Sequence, residues 1–171
     1  MIGAVVLAAG AATRFGAPKQ RLLLPAVLER LTGVDQVVVV AGAYALEGAV
    51  DCPDWERGPG ASLRCGLAAL APDVEAAVVV LADGPELAPA AVERVVAAWR
   101  AEGAPVVAAS YGGVRGHPLL VARGAWGEVP DEGLRAVEPL LVPCDDLGPP
   151  GDVDRPADLP ERFRRTPGEP M

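Results

Sequence analysis

Short apolar runs, several of them without polar alternation, set the strongest limit on how this chain can fold. They cover residues 4–8, 37–40, 76–81, 105–109 and 140–142, with weaker candidates at 49–52 and 118–121. A strand with one wet face alternates apolar and polar residues, whereas an unbroken Val/Ala/Leu run suits a strand covered on both faces. Helix-like stretches lie between the runs. Residues 26–31 form a short one. Residues 62–70 bring Leu63, Leu67 and Leu70 onto one helical face, and residues 90–99 do the same with Val92, Val95, Val96 and Trp99. Pro89 suits the first turn of the last helix and Gly103 its exit. Strand–helix repetition predicts a three-layer α/β domain with a mostly parallel central sheet. Ligands of such sheets bind beyond the carboxyl ends of the strands, which directs attention to the loops after Leu7, Leu81 and Val142.

The 171 residues suffice for one domain, expected over residues 1–159, with the Pro-, Arg- and Glu-rich stretch 160–171 as a flexible tail. Aromatics are only 4% of the chain, so the core must come from Val, Leu and Ala. The net charge of -8 disfavours nucleic acid and anionic lipid as partners, while a small anion remains possible where a local site overrides the global field. No run approaches the roughly 18 apolar residues of a membrane span, and the apolar start lacks a basic flank, so a cytoplasmic location is expected. Cys52, Cys65 and Cys144 are odd in number and widely spaced, and neither a disulfide framework nor a zinc site follows from them. Cys65 reads as a packed small residue.

Fourteen arginines stand against one lysine, Lys19, so a compact ammonium is a candidate requirement at that position. Lys19 closes the stretch that follows the first apolar run, Ala8-Ala9-Gly10-Ala11-Ala12-Thr13-Arg14-Phe15-Gly16-Ala17-Pro18-Lys19-Gln20. Small residues and glycine let backbone N–H groups approach phosphates, and Arg14 and Lys19 add cationic donors. Neither the dinucleotide fingerprint nor the P-loop spacing is present. Asp83 ends the run at 76–81 in Leu81-Ala82-Asp83-Gly84-Pro85, a position suited either to a magnesium ligand or to a turn cap. A second acidic group, Asp152-Val153-Asp154-Arg155-Pro156-Ala157-Asp158-Leu159, could hold metal or could cap a helix near Pro156. Ser62 can cap the helix that it opens. His117, the single histidine, precedes Pro118.

Leu7-Ala8-Ala9-Gly10, Arg14-Phe15-Gly16 and Pro18-Lys19-Gln20 together resemble the opening signature of the MobA-like nucleotidyltransferases, more narrowly the molybdenum cofactor cytidylyltransferases. Leu81-Ala82-Asp83 resembles that family's metal-binding element, and the segment from Asp152 to Leu159 its second acidic element. The resemblance implies a Rossmann-like α/β/α fold and transfer of CMP from CTP to a phosphate monoester, molybdopterin, with release of pyrophosphate. It implies that Leu7, Ala8, Ala9, Gly10, Arg14, Lys19, Ser62 and Asp83 bind the nucleotide, with Arg14, Lys19 and Asp83 catalytic. It further implies that Mg2+ is held by Asp83 with Asp154 or, second, Asp152. Arg115-Gly116-His117-Pro118 and Asp131-Glu132-Gly133-Leu134-Arg135 are similar to acceptor-side elements, which implies acceptor roles for His117 and Arg135. A molybdenum hydroxylase would be a partner.

Two departures from the family pattern are visible. The Gly-x-Pro-Leu-Leu loop before the first helix is missing, and Gly84 stands where Gln is common. Two alternatives therefore stay open: a guanylyltransferase or transferase for another phosphorylated metabolite, and a non-catalytic nucleotide-binding or cofactor-handling protein.

Overall fold

The computed structural model describes residues 1–9, 19–153 and 156–164. A seven-stranded sheet forms the middle layer. Its strands are β1 (Ile2–Ala8), β2 (Gln36–Ala41), β3 (Val50–Asp51), β4 (Ala76–Leu81), β5 (Val106–Tyr111), β6 (Val114–Ala122) and β7 (Leu140–Pro143). The spatial order is β3-β2-β1-β4-β6-β5-β7. β1 pairs in parallel with β2 and β4, β2 with β3, and β5 with β7. Only β6 among these strands is reversed, lying antiparallel between β4 and β5. Gly112 and Gly113, both at positive φ, make the two-residue turn that folds β5 back into β6.

Both faces of the sheet are covered, as the unbroken apolar runs predict. In β1, Ala4, Val6 and Ala8 enter one core cluster, while Val5 and, just past the strand, Ala9 enter the other. In β4, Ala76, Val78 and Val80 divide from Ala77 and Val79 in the same way. The first cluster takes in Val27 and Leu31 with Val92 and Val95 of α3 (Pro89–Glu102). The second takes Leu63 and Leu67 of α2 (Pro59–Ala68). A Cβ at Gly66 would stand 2.4 Å from Val5 Cγ1, so this glycine lets α2 sit close on β1. The result is the expected three-layer, Rossmann-like α/β fold with a mostly parallel sheet. No helix of the described residues is long and apolar enough to cross a membrane.

The structure corrects three local readings. The first helix, α1 (Lys19–Glu29), starts seven residues before the expected position and carries Pro25 in its interior. Proline normally marks a helix start, but Leu23, ahead of it, is fully buried with Val153, Leu159 and Phe163, and this tertiary contact supports the extra turns. Ser62 does not cap α2: the helix begins at Pro59 behind Gly58 and has no side-chain cap. Cys52 and Cys65 form a disulfide, with Cα atoms 5.9 Å apart. Cys52 directly follows β3 and Cys65 lies inside α2, a proximity that cysteine count and spacing cannot reveal. Residues 162–164, at the start of the stretch expected as a tail, make contacts with the domain. Arg162 donates to Glu86 Oε1 at 2.7 Å, Arg164 Nε donates to the Leu159 carbonyl at 2.7 Å, and Phe163 packs on the Leu23 cluster.

Candidate functional site

Two adjoining cavities open at the carboxyl ends of β1 and β4, where α/β sheets hold ligands. The first has a volume of about 400 Å³ and is lined by Leu7, Ala9, Gln20, Trp55, Glu56, Gly58, Pro59, Ser62, Leu81, Ala82 and Asp83. The second, about 420 Å³, shares Leu7, Pro59 and Leu81 with it. Arg115, His117, Glu132, Leu134, Arg135 and Asp152 also face the second cavity.

Thus Leu7, Ala9, Ser62 and Asp83 meet at the first cavity, and His117, Arg135 and Asp152 meet at the second. Ala8 faces neither. It belongs to the core beneath the sheet, because side chains alternate along β1. Gly10, Arg14 and Asp154 lie outside the described residues, as does the side chain of Lys19, whose backbone opens α1.

Strand geometry brings the acidic elements together. Val153 N–H donates to the Asp83 carbonyl at 2.9 Å, so the segment containing Asp152 runs against the turn after β4. A Cβ at Gly84 would meet Pro150 Cβ at 2.9 Å and Asp152 Oδ1 at 3.7 Å. Space, not backbone conformation, thus accounts for glycine where a longer side chain is common. Carboxylate oxygens are suitable ligands for a hard divalent cation, so the chemistry of Asp83 and Asp152 fits magnesium.

On the second cavity's side, Tyr111 Oη donates to the His117 carbonyl at 2.7 Å, and burial pushes the Tyr111 pKa up to about 12, keeping this donor protonated. The His117–Pro118 peptide bond is cis. Burial lowers the His117 pKa, with the Asp83 charge opposing and the Arg115 charge assisting. A neutral imidazole suits positioning by hydrogen bonds better than a fixed positive charge. Arg115 Nη1 donates to the Val137 carbonyl at 2.5 Å, which ties β6 to the loop carrying Arg135.

Gln20, Trp55, Glu56 and Pro59 also face the first cavity without having been singled out in the sequence, whereas Arg115 and Glu132 in the second belong to the acceptor-side elements named there but were given no role of their own. Trp55 had a signal: it is one of three tryptophans in an aromatic-poor chain, next to the Gly-rich start of α2. Gln20 had none, because its burial depends on where α1 begins.

Comparison with known proteins assigns this fold to a class of nucleotide-transferring enzymes. The MobA-like NTP transferase domain matches residues 4–137, and the chain belongs to that family. No curated protein matches the chain. Among solved structures, Rv0371c from Mycobacterium tuberculosis H37Rv is 30% identical, with 92% of this chain and 94% of that one covered and a TM-score of 0.74. A structure described as Rv0371C in complex with manganese gives 28% identity, coverage of 92% and 95%, and a TM-score of 0.71. A nucleotidyl transferase from Methanothermobacter thermautotrophicus, Mth528, shares the fold at 19% identity, coverage of 92% and 94%, and a TM-score of 0.68.

Proposed function

We propose that the protein is a magnesium-dependent cytidylyltransferase that moves CMP from CTP to a small phosphate monoester, with molybdopterin the first acceptor to test. The observation that carries this reading is the pair of contiguous cavities, one facing Asp83 and the other facing Arg115, Arg135 and Asp152. In it, the nucleotide occupies the first cavity and the acceptor the second. Family membership supports a divalent metal, and so does the manganese complex of the Rv0371C relative.

Asp83, with Asp154 or Asp152, would hold Mg2+, which supplies charge neutralisation for the triphosphate. Leu7, Ala8, Ala9 and Gly10 provide the main chain around the nucleotide, with Ser62 on the facing wall. Arg14 and Lys19 contribute phosphate contacts, and Lys19 stabilises charge developing at the α-phosphate. Arg135 and Arg115 attract the acceptor phosphate, and neutral His117 orients it. An acceptor phosphate oxygen then bonds to the α-phosphorus of CTP as the bond to the bridging oxygen breaks, and pyrophosphate leaves. The attacking oxygen is already ionised near neutral pH, so no general base is required. A molybdenum hydroxylase would receive such a product.

The test is pyrophosphate release from CTP or GTP with Mg2+ across a panel of phosphorylated acceptors including molybdopterin. CTP-dependent release with molybdopterin supports the reading. Release only with GTP, or only with another acceptor, replaces its substrates, and nucleotide binding without release across the panel replaces transfer with cofactor handling.

A further inference from the structure

We infer that Asp131 is a positioning residue that fastens the wall of the nucleotide cavity to the wall of the acceptor cavity, so that filling one shapes the other. The inference rests on the nucleotidyltransferase reading and concerns how its two subsites communicate.

Asp131 faces neither cavity, yet it stands where their walls meet. One wall is the segment from Trp55 to Ser62, which spans the 3-10 turn Trp55–Arg57 and the first turn of α2. The other contains Glu132, Leu134 and Arg135. These walls are distant in sequence: Arg57 and Asp131 are separated by 74 positions. Asp131 joins them in three ways. Its carboxylate accepts from Arg57 Nη2 at 3.3 Å and from Arg64 Nη2. Its carbonyl accepts from Gly60 N–H at 2.8 Å. Arg64 adds a contact beside it, donating from Nη1 to the Val129 carbonyl at 2.8 Å.

The main chains at this joint touch. A Cβ at Gly60 would fall 1.6 Å from the Pro130 carbonyl oxygen, and one at Gly58 would fall 2.3 Å from that of Asp131. Gly58 also has φ 136°, a region that favours glycine. A displacement of α2's first turn must therefore move the 130–135 loop or break the joint. The hydrogen bond from Arg64, with the charges of Arg57 and Arg64, holds the Asp131 carboxyl below its ordinary range, so the joint is charged at neutral pH.

A purely stabilising role is poorly served by this arrangement. The side chains of Arg57, Arg64 and Asp131 are 60%, 34% and 39% exposed, and ion pairs in such surroundings add little to folding stability. Registry between the walls is a better use, because a two-armed contact fixes relative position even where its net energy is small. Nucleotide pressing on Pro59 and Ser62 then restrains Arg135 through Asp131.

The test combines calorimetry with backbone hydrogen exchange on the full chain. Saturating Mg2+–CTP is expected to slow exchange in residues 130–137 of the wild type by about threefold or more. Asp131→Asn should bind CTP within about threefold of wild type and melt within about 4 °C of it, yet lose most of that slowing, since only the main-chain contact at Gly60 is left to carry it. Asp131→Glu should recover part of it. Arg57→Gln, which keeps the Arg64 arm, should lose only part and serves if Asp131→Asn does not fold. Slowing in Asp131→Asn equal to that of the wild type, or absent from a wild type that binds CTP, overturns the inference. If neither CTP nor GTP binds the wild type, the nucleotidyltransferase reading fails and the coupling falls with it, an outcome that calorimetry identifies separately.

Discussion

The two cavities differ little in size but greatly in the charge of their walls. Among the described residues lining the nucleotide cavity there is no cation, while Glu56 and Asp83 are acidic. The acceptor cavity carries Arg115 from β6 and Arg135 from the loop before β7, with Glu132 and Asp152 alongside. A triphosphate cannot settle against two carboxylates unaided. In the proposed assignment, positive charge would come from a metal ion and from Arg14 and Lys19. The second cavity, assigned above to the acceptor, has cations mounted on the scaffold, one of them fastened through Val137. Metal dependence should therefore fall on nucleotide binding, and arginine dependence on the acceptor.

The sharpest way to break this comparison is at Lys19. Lys19→Ala is expected to lower turnover by about 100-fold or more while the melting temperature stays close to wild type. Unchanged turnover would remove the lysine from the mechanism. A smaller effect is expected from Arg135→Ala. The acceptor KM should rise about tenfold or more while the calorimetric affinity for CTP holds, since a charge-assisted hydrogen bond is worth about 1.5–3 kcal/mol. Equal losses for both ligands would show that the cavities do not divide the labour this way.

The disulfide offers a third and smaller perturbation on the nucleotide side. Cys52 and Cys65 bracket the segment that supplies Trp55, Glu56, Gly58, Pro59 and Ser62 to the first cavity. A bond closing a loop of this length contributes about 3 kcal/mol. Cys52→Ser should thus lower the melting temperature by roughly 6–12 °C and weaken CTP by a few-fold, about 1 kcal/mol or less. Acceptor KM should change less. Thermal melting and calorimetry with and without a dithiol reductant measure both effects, and indifference to reduction would contradict the bracket's role.

What could be read from the sequence follows from the range of the forces involved. The strands were legible because burial on both faces leaves an unbroken apolar run, as in Val78-Val79-Val80. β6 was harder to see because its first half, residues 114–117, is only partly covered and carries Arg115, Gly116 and His117. Asp83 was legible from its place after a buried strand. Its meeting with the Asp152 segment was not, because that depends on the long-range hydrogen bond from Val153. The start of α1 was hidden for a related reason: the contacts that bury Leu23 come from residues 153–163. The joint at Asp131 depends on two arginines distant in sequence, with no local pattern to announce it.

In the proposed function, the first cavity is a metal-dependent CTP site. Calorimetric titration of CTP and GTP into the purified protein, with and without Mg2+ and with Asp83→Asn as control, tests it most directly. Selective CTP binding that requires Mg2+ and weakens at least about tenfold in Asp83→Asn is predicted. Binding of neither nucleotide, or binding indifferent to both Mg2+ and Asp83, would contradict it.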